Sequence, residues 1–198
     1  MRGLIAVGLL VALAGCATQP KMTRDEYLKT TQREYVNKTP DDVFKAAEKL
    51  FTLADGDDFT FHYTDDSMSA SRPWVVYLVF AASMGTDNWL IRTKEEGNKT
   101  KVSALVSTAM GSVAPMATTG GDWTATGLPG GGNIVAGTAI YDVFWARMDY
   151  LLGKSDKWMS CEQADDRVKR KVTWGSNEAL CNSFNMKNQS PPELTANK

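Results

Sequence analysis

The chain has 198 residues, 22 basic against 23 acidic side chains, a formal net charge of −1 and a hydrophobic fraction of 43%. Such a near-neutral balance supplies no sustained positive field, which excludes nucleic acid as an expected partner. The length and apolar content suit one domain with a real core, and no internal repeat or second domain is visible.

The first twenty residues, "MRGLIAVGLLVALAGCATQP", carry one positive charge at Arg2 and then run from Gly3 to Gly15 without a charged or strongly polar side chain. That is the n-region and h-region pattern of a secretory signal. The run is shorter than the ~20 apolar residues a transmembrane helix needs. Small residues at Ala14 and Gly15 admit an extended chain to a peptidase, and the next residue is Cys16. Leu13-Ala14-Gly15-Cys16 resembles the lipobox of bacterial lipoproteins. The resemblance implies that the Cys16 thiol takes a diacylglycerol, that residues 1–15 are cut away, and that the new amine is acylated by a palmitate-like chain. One acyl chain binds a bilayer marginally and several anchor it stably, at ~0.8 kcal/mol per buried methylene. Ala17 is not the aspartate that marks inner-membrane retention in the enterobacterial version of this family. The resemblance therefore implies an outer-membrane lipoprotein with its domain facing the periplasm.

Loss of residues 1–15 removes Arg2 alone, leaving 21 basic against 23 acidic residues. With Cys16 lipidated, an even pair remains, Cys161 and Cys181, and an oxidising compartment favours their disulfide. It would close a loop of about 20 residues and stabilise the domain by roughly 3 kcal/mol. Two thiols and His62, the single histidine, fall short of the usual four zinc ligands, so no metal is expected.

Residues 16–33 read as a tether and N-terminal segment, with Glu34 to Asn37 able to pair as a first strand. "NKTPDDVFKAAEKLFTLADGDD" predicts an amphipathic helix: Thr39 caps, Pro40 suits the first helical position, Asp41 and Asp42 meet the positive end of the dipole, and Gly56 offers a stop. Val43, Ala46, Ala47, Leu50, Phe51 and Ala54 recur at helical spacing. "DFTFHYT" alternates Phe59, Phe61 and Tyr63 against polar positions, which predicts a half-buried strand. After a turn at "DDS", the apolar run Trp74 to Ala82 predicts a strand covered on both faces, and Pro73 belongs at a strand start, bulge or edge. "NWLIRTKEEGNKTKVSALVSTAM" predicts an antiparallel hairpin about Glu-Gly-Asn. From 111 to 137 the periodicity collapses into a glycine-rich segment, expected as a loop. "GTAIYDVFWARMDYLLGK" restores helical spacing, and residues 185–198 read as a flexible polar tail.

The expected fold is α+β: a single domain over 34–184 in which a curved antiparallel sheet of about four to five strands is packed by two amphipathic helices, with one disulfide near the C-terminus. The order of elements resembles the helix-grip type of domain found in some envelope-assembly lipoproteins, a likeness of topology that carries no functional residue.

No catalytic constellation emerges. The Asp-Asp pairs at 41–42, 57–58, 65–66 and 165–166 do not converge, because neighbouring residues on a strand or helix diverge, and helix starts and turns give them structural work. His62 falls on the polar side of its strand with no nucleophile motif beside it. Gly130, Gly131, Gly132 and Gly137 lack the Lys-Ser or Lys-Thr of a phosphate loop, so no cofactor is expected. Trp123, inside the glycine-rich segment, reads either as a partner contact, together with Gly130, Gly131 and Gly132, or as a lid folded over the core. Trp74, Trp89 and Trp145 suit core faces, and Trp158 and Trp174 suit the surroundings of the disulfide.

The resulting expectation is a non-enzymatic, lipid-anchored envelope protein that binds another envelope protein through the glycine-rich segment or an exposed sheet edge. Two rivals stand beside it: a carrier of a lipid or small apolar ligand, lined by Trp74 to Ala82, and a peptidoglycan hydrolase or hydrolase inhibitor.

Overall fold

A computed structural model of the chain describes residues 21–55, 58–78, 81–117, 123–128 and 132–181. Cys16, Gly130, Gly131 and the tail at 185–198 lie outside the described residues, as does the Gly56 stop.

The elements follow from local chemistry. Helix α1 (Arg24–Thr31) opens with a capping box in which Thr23 accepts from the Glu26 amide and Glu26 accepts from the Thr23 amide. Strand β1 (Gln32–Val36) follows at once. Helix α2 (Pro40–Asp55) starts where the sequence places it: the Thr39 hydroxyl accepts from the Asp42 amide at 3.2 Å, and Asp42 accepts from the Thr39 amide at 2.9 Å. Strands β2 (Thr60–Tyr63), β3 (Ser67–Leu78), β4 (Ala81–Glu96) and β5 (Lys99–Ala117) form an antiparallel run, with Gly97 at φ +67° in the β4–β5 turn. Two short strands, β6 (Trp123–Leu128) and β7 (Gly132–Ile134), precede helices α3 (Ala139–Leu151) and α4 (Cys161–Lys169).

The fold is therefore α+β with an antiparallel sheet, in the order β1-β5-β4-β3-β2, and a Cys161–Cys181 disulfide. It is five strands wide but has seven strands among the described residues, because β1, β7 and β6 succeed one another along the same side of β5. Four helices, not two, accompany the sheet. The stretch 111–137, expected as a loop, continues β5 to Ala117 and adds β6 and β7. Small residues there satisfy their backbone by ladder pairing, with little of the apolar contrast that marks a half-buried strand. Trp74 to Ala82 is likewise not one covered strand: the chain reverses between Leu78 and Ala81, and Val75 and Tyr77 are exposed.

One face of the sheet holds the core. Phe51 of α2, Phe144 of α3 and Trp89 of β4 meet with ring centroids 5.0 to 6.1 Å apart, flanked by Met68, Ile91, Val102 and Val106, all fully buried. Burying an aromatic of this size contributes about 1.5–3 kcal/mol. Trp145 is also buried, and its indole N–H donates to the Thr30 carbonyl at 2.7 Å, tying α1 to α3.

Candidate functional site

On the helix side the sheet is buried only in its proximal half, nearer the β4–β5 turn, at Met68, Ala70, Trp89, Ile91, Val102 and Val106; in the distal half Trp74, Val76 and Met110 remain partly exposed. The boundary is a row of side chains paired in register across three strands, Arg72, Asp87 and Thr108. Arg72 Nη2 donates to Asp87 Oδ2 at 2.8 Å and the Thr108 hydroxyl donates to Oδ1 at 2.8 Å, so the carboxylate is charge-balanced and held on both oxygens inside the fold. Beyond this row β3, β4 and β5 carry no charged side chain. Residues 73–86 contain no ionisable charge other than that of a tyrosine, and 102–121 contain none.

The distal half of β3 is also an open edge. Strand β2 pairs only with Met68–Ser71, and among the described residues no strand lies against the outer side of Arg72–Leu78. The Thr64 amide donates to the Ser67 carbonyl, whereas the Asp66 carbonyl accepts from Thr93 of β4. By alternation, the backbone groups of Ser69, Ser71, Pro73, Val75 and Tyr77 point away from β4. Pro73 thus sits mid-strand at a position where its missing N–H removes no β3–β4 hydrogen bond, the edge placement its sequence context predicts. Val75 and Tyr77 follow with backbone groups directed outward, and their side chains are 49% and 84% exposed. Met84, opposite Val75 in register, extends the same apolar face.

On the helix-side face the distal strands form the floor of a groove of about 460 Å³. Trp74 and Val76 of β3 and Met110 of β5 lie on one side, with Val135, Ile140 and Ala179 across from them. The far wall is firmly built. Gly137 and Gly175, both at positive φ, pair as an isolated bridge, and a Cβ on Gly137 would lie 2.5 Å from the Trp174 carbonyl oxygen. That carbonyl accepts from the amides of Thr138 and Ala139 at the start of α3, satisfying orphan donors of the helix. The disulfide fixes the end of the wall, and Arg147, fully buried, donates to the Met159 carbonyl at 3.1 Å and to Cys161 Sγ at 3.2 Å. Its guanidinium lies 4.9 Å over the Trp158 ring, and burial presses its pKa down to about 10, leaving it charged at neutral pH.

Among the predicted site residues, Cys161 and Cys181 are bonded to each other. Trp123 opens β6 opposite Ala117, and Gly132 opens β7 opposite Ala109, so both belong to the distal sheet. Trp74 is half-buried at the groove instead of in the core, and Trp174 sits at the α3 junction. Several of the paired aspartates take structural partners: Asp41 meets Lys45, Asp42 meets Thr39, Asp66 meets Thr64, Asp165 meets Asn177 and Asp166 meets Arg170. Asp57 lies outside the described residues. His62 is exposed on β2. Sequence reading missed the buried row of Arg72, Asp87 and Thr108; the charge-free span 73–86, bounded by Arg72 and Asp87, was its available signal.

No family model, curated protein or solved structure matches this chain.

Proposed function

We propose that the chain is a non-enzymatic lipoprotein, anchored in the outer membrane through Cys16, whose domain docks another envelope protein along the distal half of its sheet. One observation carries the reading: past Pro73, its one edge guard, the open edge of β3 exposes Val75 and Tyr77 and lacks the charges by which sheets ordinarily protect an edge. A partner strand laid against Pro73–Leu78 would take the outward backbone groups, and the exposed face of Val75, Tyr77 and Met84 would give it specificity. Trp123 and Gly132 belong to this surface as members of β6 and β7. In this reading the domain is of helix-grip type, with α2 and α3 held against a curved sheet.

The test is purification of the acylated protein from membranes in mild detergent, with quantitative mass spectrometry of what accompanies it. The reading expects one envelope protein at constant stoichiometry, lost when Val75 and Tyr77 are both replaced by Lys. Purification without a stoichiometric companion contradicts it.

A further inference from the structure

We infer that the groove on the helix-side face of the distal sheet is a binding site for one acyl chain of a membrane lipid. The inference goes beyond the docking reading, whose residues Val75 and Tyr77 border the groove at the strand edge, and it rests on the anchoring at Cys16.

Three observations support it. The first is the lining: Trp74, Val76, Met110 and Val135 present apolar surface, backed by the buried Ile140 and Ala179 and bordered at the strand edge by Val75 and Tyr77, to a space of about 460 Å³, within the ~300–1,000 Å³ usual for ligand sites. The second is the closed inner end. Asp87 is already held by Arg72 and Thr108, so a charged group entering there would disturb a satisfied buried pair. A ligand must therefore lead with an uncharged, apolar portion and keep its polar head at the rim, where Ser176 and Glu178 stand. The third is location. Lys21 follows Cys16 by five residues, a reach of at most roughly 18 Å. Lys21 lines a second cavity together with Thr138 and Trp174, residues adjacent to the Gly137–Gly175 bridge. Ser176 and Ile140, just beyond that bridge, line the groove. An anchor at Cys16 therefore holds this corner of the domain close to the bilayer surface, where acyl chains are the abundant apolar ligand.

The floor is also shaped for an occupant. Gly85 lies beneath Trp74, and any Cβ there would meet the indole, so the ring rests against the strand and leaves the space above it open.

The experiment uses the full acylated protein in phosphatidylethanolamine–phosphatidylglycerol vesicles doped with a phospholipid carrying a diazirine in one acyl chain. After irradiation, labelled peptides are mapped by mass spectrometry. The expected result is a saturable adduct on Trp74, Val76, Met110 or Val135, displaced by unlabelled phospholipid. Val76→Thr, nearly isosteric, should lower the labelling about tenfold by placing a hydroxyl among apolar neighbours. Met110→Gln, at a half-exposed position that spares the fold, should lower it as well, whereas Met84→Ser on the opposite face should not. Labelling that is absent from the groove, including the case in which the chain already attached to Cys16 fills it, overturns the proposal. So does labelling spread equally over the Met84 face.

Discussion

The Trp74 indole occupies the space that a side chain at Gly85 would need: a Cβ built there lies 2.6 Å from the ring's Cε2 and 2.5 Å from the Ala109 carbonyl oxygen. Gly85→Ala should therefore force the indole away from β4 and strain the β4–β5 ladder. The expected loss is about 1–3 kcal/mol, the usual range for overpacking. Urea denaturation gives the size of the loss, and a shift in tryptophan emission of the folded protein reports the moved ring. Wild-type stability and emission would show that Trp74 does not rest on this glycine.

The row of Arg72, Asp87 and Thr108 predicts strong coupling. Asp87→Ala leaves a buried guanidinium without its carboxylate and a hydroxyl without its acceptor, and should destabilise by about 3–5 kcal/mol. Replacing both ions together, Arg72→Met with Asp87→Leu, should be far milder than the sum of the single changes. A double-mutant cycle by chemical denaturation measures the difference. Simple additivity would mean that the two side chains do not act as a pair.

Reduction of the Cys161–Cys181 bond should lower stability by roughly 3 kcal/mol, as expected for its sequence separation of 20. Arg147 touches both sulfurs and the Leu180 carbonyl, so the effect of Arg147→Met should be smaller in reduced protein than in oxidised protein. Equal effects in the two redox states would separate the guanidinium from the bridge.

Tyr141 supplies a pH dependence. Burial raises its hydroxyl pKa to about 12, while its oxygen accepts from the Val106 amide at 3.4 Å. A tyrosine near its ordinary pKa of ~10 in the unfolded chain ionises first there, so this contribution is fully present below pH ~10 and is lost as pH rises toward 12. The full span corresponds to about 2–3 kcal/mol. Urea midpoints between pH 8 and 11.5 should fall more steeply for the wild type than for Tyr141→Phe. Parallel curves would remove Tyr141 as the cause.

The proximal half of this fold was legible in the sequence because its signals are local. Thr39, Pro40 and Asp42 mark the start of α2, Gly97 and Asn98 mark the β4–β5 turn, and Phe144, Trp145 and Met148 repeat at helical spacing. Helix α1 escaped because its polar residues show almost no apolar stripe; its capping box of Thr23 and Glu26 was the readable cue. The distal sheet escaped for a different reason. Strands β5, β6 and β7 are rich there in Ala, Ser, Thr and Gly, with apolar residues such as Met110, Val113, Trp123 and Ile134 in no sustained alternation, so their pairing is decided by backbone hydrogen bonds that leave little periodic trace. The apolar run from Trp74 to Ala82 was legible as strand but not as hairpin, since continuous hydrophobicity hides a reversal. The groove at Trp74 needed the wall formed by Ile140 and Ala179, which only the folded chain brings opposite.

The most direct test of the docking claim is photo-cross-linking in intact cells, with benzoylphenylalanine placed singly at Val75, Tyr77 or Lys45 of the acylated protein. Lys45 lies on α2, away from the open edge, and its exposed side chain pairs with Asp41. The account predicts that Val75 and Tyr77 each yield the same discrete adduct with one envelope protein and that Lys45 yields none. Adducts of equal pattern from all three positions, or none from the two edge positions, would contradict it.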